Sequence, residues 1–199
     1  MTDALSPSQT PDDAWILAYA DRIRVRTAGA QPILELGCGG GRDTVHLAAL
    51  GRVVALDIGH AGLIACRRWV PHAGLVRGDL RRGLPFRADR FPVVIASLCL
   101  HYFPWSTTQY LVTEIHRVIA PGGMLIVRVN STKDTNYGAE GHPAIAPHLY
   151  RVKGKPKRFF DRESLLALFT GWQIDAIAER PIMRYETRKW IWELCLYAD

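Results

Sequence analysis

The chain has 199 residues, 48% hydrophobic and 22% charged, with 25 lysines and arginines against 19 acids and a formal charge of +6. That length suits one domain with a three-layer core, and the composition excludes disordered and fibrous classes. No apolar run approaches the roughly 20 residues of a bilayer span. Residues 1–13, polar, acidic and proline-containing, read as a flexible tail rather than a signal peptide, ahead of one domain over 14–199.

Apolar residues at helical spacing (Trp15, Leu17, Ala18, Ile23) predict a leading helix over Ala14–Thr27. Ile33, Leu34 and Leu36 read as a strand buried on both faces, followed by a turn rich in glycine. Asp43 is expected to cap the next helix, which runs through Val45, Leu47 and Ala48 to Gly51. Arg52–Asp57 is a second strand ending in an acid, Ala61–Val70 a helix, and Gly74–Asp79 a shorter third strand. Phe91–Leu98 is apolar on both faces and therefore central. Ser106 is expected to cap a helix with the inner stripe Leu111, Ile115 and Val118. A Pro121-Gly-Gly123 turn then precedes a fifth strand, Met124–Val129.

Ser131–Phe160 reads as an irregular stretch, too long for an ordinary connection and so a lid or binding loop. Asp161 caps a helix through Leu165, Leu166 and Leu168. Trp172–Ile177 and Trp190–Leu196 have no helix between them and should pair antiparallel, the last strand lying inside the sheet. The whole is an α/β fold: a doubly wound, seven-stranded, mostly parallel sheet with a C-terminal antiparallel hairpin.

Cys38, Cys66, Cys99 and Cys195 are scattered beside apolar residues, as buried thiols in a reducing cytoplasm would be. His142 and His148 have no cysteine or carboxylate cluster beside them, so no metal is expected.

The chemistry concentrates after the first strand. Gly37, Gly39, Gly40 and Gly41 let the backbone turn and approach a ligand with no Cβ in the way. Strand, glycine turn and helix start form the nucleotide-cradling corner of a doubly wound sheet. A dinucleotide fingerprint starting at Gly37 would need glycine at 42, where Arg42 stands. Tyr185 and Lys189 have the spacing of a short-chain dehydrogenase pair, but that family's upstream glycine loop does not match. What stands is Glu35-x-Gly37-x-Gly39-x-Gly41, with Asp57 ending the second strand. A carboxylate there can accept hydrogen bonds from both hydroxyls of a ribose.

This pattern resembles the first motif of the class I S-adenosylmethionine-dependent methyltransferases, whose fold is Rossmann-like. The resemblance implies that Glu35, Gly37, Cys38, Gly39 and Gly41 line the methionine part, and that Asp57 and Ile58 meet the ribose. It implies Asp79 and Leu80 for the adenine, and the carbonyls of Ser97 and Leu98 for the ammonium. Ala120-Pro-Gly-Gly-Met124 looks like the family's turn before strand five. Leu36–Asp43 with Phe160–Trp172 resembles the small bacterial methyltransferases of the tellurite-resistance and thiopurine type, which act on soft nucleophiles. Asn130–Tyr137 and the residues after it depart from that type.

Groups just past strands four and five should face the methyl: His101 as base or orienting group, then Tyr102, then Asn130. Arg151, Lys157 and Arg158 would offer cations to an anionic small-molecule acceptor. The same basic run beside Tyr150, Phe159 and Phe160 permits nucleic acid as a competing substrate, though the Asn-Pro-Pro-Tyr run of nucleobase amino-methyltransferases is missing. A non-catalytic cofactor-binding protein is the third class. Oxygen, nitrogen and sulfur all remain open as the acceptor atom.

Overall fold

Seven runs of mostly apolar residues lie side by side in the computed structural model, which describes residues 14–28, 30–184 and 186–199; the expected tail and Tyr185 lie outside the described residues. Strands β1 (Ile33–Leu36), β2 (Val53–Asp57), β3 (Gly74–Arg77), β4 (Phe91–Ser97) and β5 (Ile119–Asn130) are parallel. Helices α1 (Ala20–Thr27), α2 (Arg42–Ala48), α3 (His60–Trp69) and α4 (Trp105–Val118) precede or connect them. Three short strands, β6 (Ala144–Ala146), β7 (Leu149–Val152) and β8 (Lys155–Arg158), come next, and then α5 (Arg162–Leu168). Strands β9 (Gln173–Arg184) and β10 (Thr187–Tyr197) end the chain as an antiparallel hairpin. The main sheet runs β3-β2-β1-β4-β5-β10-β9, with β10 inside it as its two apolar faces require.

Strand alternation feeds two cores. Leu34, Leu36, Val94 and Val127 point toward Leu111 and Ile115 of α4 and Leu165 of α5. Ile33, Val93, Ile95 and Ile126 pack with Ile23 of α1, Leu47 of α2 and Leu63 of α3. Among the described residues no helix is long and apolar enough to cross a membrane.

Local starts and stops differ from expectation at four places. The leading helix begins as a 3-10 turn, Trp15–Tyr19, before α1. Gly41, at φ 90°, takes the capping position expected of Asp43, whose Oδ1 instead accepts from Trp15 Nε1 at 3.0 Å. Pro104 takes the one expected of Ser106, because its carbonyl already accepts the first helical bond from Thr108 N at 3.0 Å. The Pro121-Gly-Gly123 turn is an excursion within β5, whose register against β4 jumps from Phe91↔Ile119 to Val93↔Met124. Asp161 caps α5 as expected, accepting from Ser164 N at 2.8 Å.

The Ser131–Phe160 stretch is not irregular. It carries a second antiparallel sheet, ordered β6-β7-β8. Lys153 and Gly154, at φ 49° and 78°, close its β7–β8 hairpin, both in the left-handed region that a tight two-residue turn requires. Its root is anchored by a buried pair: Asp134, fully buried, accepts Lys189 Nζ at 2.7 Å and Trp190 N at 3.1 Å.

Candidate functional site

The C-terminal ends of β1, β2 and β4 open onto one cleft of about 1220 Å³. Gly37 and Cys38 both donate their backbone N–H to Leu56 O, at 2.7 and 3.2 Å, which ties the glycine loop to β2. At Gly37, φ 71°, an added Cβ would lie 2.5 Å from Cys99 Cβ. At Gly39, φ 52°, it would meet no protein atom within 4 Å, because that residue faces the open cleft.

Asp57 holds this loop in place. Its Oδ2 accepts from Gly39 N at 2.8 Å and its Oδ1 from Gly59 N at 2.7 Å. A carboxylate offers about four lone-pair sites, so roughly two are left for a ligand in the cleft. Glu35 is buried beneath the loop and accepts from Thr44 Oγ1 at 2.6 Å. Burial first, then the nearby Asp43, lifts its carboxyl well above the ordinary carboxylate range.

A stability test follows for Glu35. The folded protein keeps a proton there that the unfolded chain releases above about pH 4.5, so stability falls as the pH rises past that value until folded Glu35 itself ionises. Each pH unit in that window costs about 1.4 kcal/mol. Glu35→Gln removes the dependence, and thermal melts of the two proteins should diverge with rising pH. Parallel melting curves across the range would contradict the buried neutral acid.

Asp79 lines the cleft and accepts from Arg81 N at 3.0 Å and Arg81 Nη2 at 2.7 Å, bonds that hold its carboxyl below the ordinary range. Ile58, Leu80, Ser97 and Leu98 line it as well. Leu98 adopts φ 52° and donates its N–H to Arg128 O at 2.7 Å, a strained backbone held at the end of β4.

Three expected residues do not line the cleft. A Cβ on Gly41 would lie 2.8 Å from Cys66 Sγ, so this glycine serves the packing of α2 on α3. His101 is buried, 3% exposed, with its ring 4.3 Å from that of Tyr102, which does line the cleft. Asn130 is fully buried and donates Nδ2 to Arg158 O at 3.2 Å.

The basic residues are also redistributed. Lys157 Nζ donates to Tyr137 O at 2.7 Å, and Arg158, 6% exposed, donates to Phe103 O at 3.2 Å and lies over the Trp105 ring. Arg151 too is absent from the lining. Arg42, Arg128 and Lys155 take their place there, with Phe103 and Thr107. Arg128 was legible as a lone cation in the apolar run Met124–Val129. Gly62 was legible too, since glycine weakens a helix interior and so asks for a reason. A Cβ there would stand 2.9 Å from Gly39 O, where the loop rests on α3.

A family model described as a methyltransferase domain matches residues 33–123, the span from β1 through the turn within β5. Over that span the sequence is similar to methyltransferase domains. An uncharacterized methyltransferase of Synechocystis sp. is 40% identical over 95 residues, 47% of this chain and 44% of that protein. Trans-aconitate 2-methyltransferase of Azoarcus sp. is 28% identical over 137 residues, 63% of this chain and 53% of that protein. The chain thus spans about half the length of these curated relatives. TehB from Haemophilus influenzae has the same fold, with a TM-score of 0.71 at 12% identity, over 100% of this chain and 64% of that one.

Proposed function

We propose that this chain is a methyltransferase that binds S-adenosylmethionine in the cleft and transfers its methyl group to a small-molecule acceptor. The observation that carries the reading is the glycine loop itself, bonded to Asp57, with Gly39 bare toward open space. The residues present fit such a group. Gly37, Cys38 and Gly39 would take the methionine part, Asp57 and Ile58 the ribose, Asp79 and Leu80 the adenine, and the carbonyls of Ser97 and Leu98 the ammonium. When bound, the sulfonium supplies an electrophilic methyl with a good leaving group. The protein's part is to align a nucleophile and exclude water. Tyr102 and Phe103 would wall the acceptor side, with His101 holding the Tyr102 ring from behind. The name of the Azoarcus relative, a trans-aconitate methyltransferase, favours a small acceptor over nucleic acid.

Calorimetry with S-adenosylhomocysteine and with NAD tests the reading; binding of NAD alone would overturn it. Asp57→Ala removes charge-assisted hydrogen bonds and is expected to weaken S-adenosylhomocysteine about ten- to a hundredfold. Unchanged affinity would remove Asp57 from the ribose site.

A further inference from the structure

Beyond the cofactor half, the cleft continues past the ends of β4 and β5 to a wall made by the second sheet. Arg158 pins β8 to Phe103 O at 3.2 Å, and this brings Lys155 and Pro156 into the same lining as Tyr102, Phe103 and Arg128. Lys155 makes no ion pair with any acid among the described residues. Arg128, 2% exposed, sits 3.6 Å from Glu193 and 4.4 Å from the Trp15 ring centroid, a guanidinium held rigid at the floor.

In the cofactor reading the acids along this cleft are committed elsewhere, Asp57 to the ribose and Asp79 to the adenine, besides their bonds within the protein. Asp43 accepts from Trp15 Nε1, Asp57 from two backbone amides, and Asp79 from Arg81. Glu35 is buried beneath the loop, and that burial holds its carboxyl well above the ordinary range. Burial pushes the Cys99 thiol up, and a thiol hydrogen bond with Cys66, then burial, pushes Cys38 up as well. Tyr102 is a phenol, a poor base in its neutral form. His101 is outside the lining. With cations in its wall and, among the described residues, no uncommitted acid and no imidazole in its lining, the cleft suits a nucleophile that is already an anion at neutral pH.

We infer that, given the cofactor reading above, the acceptor is a small carboxylate ion, held by Lys155 at the cleft wall and methylated on oxygen without a general base. One carboxylate oxygen uses its lone pair to form the bond to the methyl carbon. The carbon–sulfur bond breaks with its electron pair going to sulfur. The products are a methyl ester and S-adenosylhomocysteine, and no proton moves. A thiol or phenol would have to lose a proton first, for which this cleft provides no partner.

The test begins with S-adenosylhomocysteine titrated into the wild type and Lys155→Ala. Both should bind it equally; failure of the wild type to bind overturns the cofactor reading and this inference with it. Trans-aconitate, malonate and benzoate are then compared with thiophenol and catechol in a methyl-release assay. Carboxylates should be consumed at a rate that does not climb steadily between about pH 5.5 and 8.5, since each probe carries an ionised carboxylate throughout that window. Lys155→Ala should raise KM for the preferred carboxylate about tenfold or more with kcat nearly unchanged, and Lys155→Arg should restore it. Calorimetry should show the same loss for that carboxylate added to the S-adenosylhomocysteine complex. Intact cofactor binding with thiophenol or catechol methylated and carboxylates inert would overturn the carboxylate assignment. So would a rate rising tenfold per pH unit, or a Lys155→Ala protein with wild-type KM.

Discussion

Gly39→Val is expected to abolish S-adenosylhomocysteine binding while the protein stays folded. The backbone there sits at φ 52°, where an L-residue is strained by about 1–2 kcal/mol, a fraction of the roughly 5–15 kcal/mol that holds a domain together. The new side chain would touch no protein atom at its Cβ, so the clash falls on whatever fills the cleft. Gly37→Ala is the control with the opposite profile. Its Cβ would drive into Cys99 at 2.5 Å, which overpacks the loop and should lower the melting temperature. Melting curves and calorimetry on both proteins separate the two effects. A Gly39→Val protein that binds with wild-type affinity would show that the ligand does not pass over this loop.

Lys189→Met should cost about 3–5 kcal/mol, because it strands the fully buried Asp134 carboxylate without its counter-charge. For a chain of this size that corresponds to a fall of roughly 6–20 °C in melting temperature. Adding Asp134→Asn to Lys189→Met should recover most of the loss, since the amide oxygen can still accept from Trp190 N and no charge remains buried. A single variant within about 1 kcal/mol of wild type would mean that water reaches the pair. The measurement bears on the site indirectly. This pair fastens the segment that carries the second sheet, and through β8 that sheet supplies Lys155 to the cleft.

Much of the glycine-loop side of the cleft was legible in the sequence, for a simple reason. Gly37, Gly39, Asp57, Asp79 and Leu98 line it at or just past strand ends, so locating the strand ends locates the residues. The far wall of the cleft follows no such rule. Arg158, Lys157 and Lys155 look equivalent along the chain, yet one is buried against Phe103, one is bonded to Tyr137 O, and one faces the cleft.

By itself the sequence determined the α/β class, the central place of β4, the inner place of β10 and the position of the glycine loop after β1. These follow from periodicities of two and 3.6 residues and from glycine's φ, which act within a few residues of chain. Only the tertiary structure decided that His101 lies behind Tyr102, that Gly41 packs on Cys66 rather than lining the cleft, and that residues 131–160 carry a sheet. Those outcomes rest on contacts between groups far apart in sequence, such as Arg158 with Phe103 and Lys189 with Asp134. In a short turn or a charged hairpin no repeating pattern marks which side chain will be covered, so burial is settled by what packs against it.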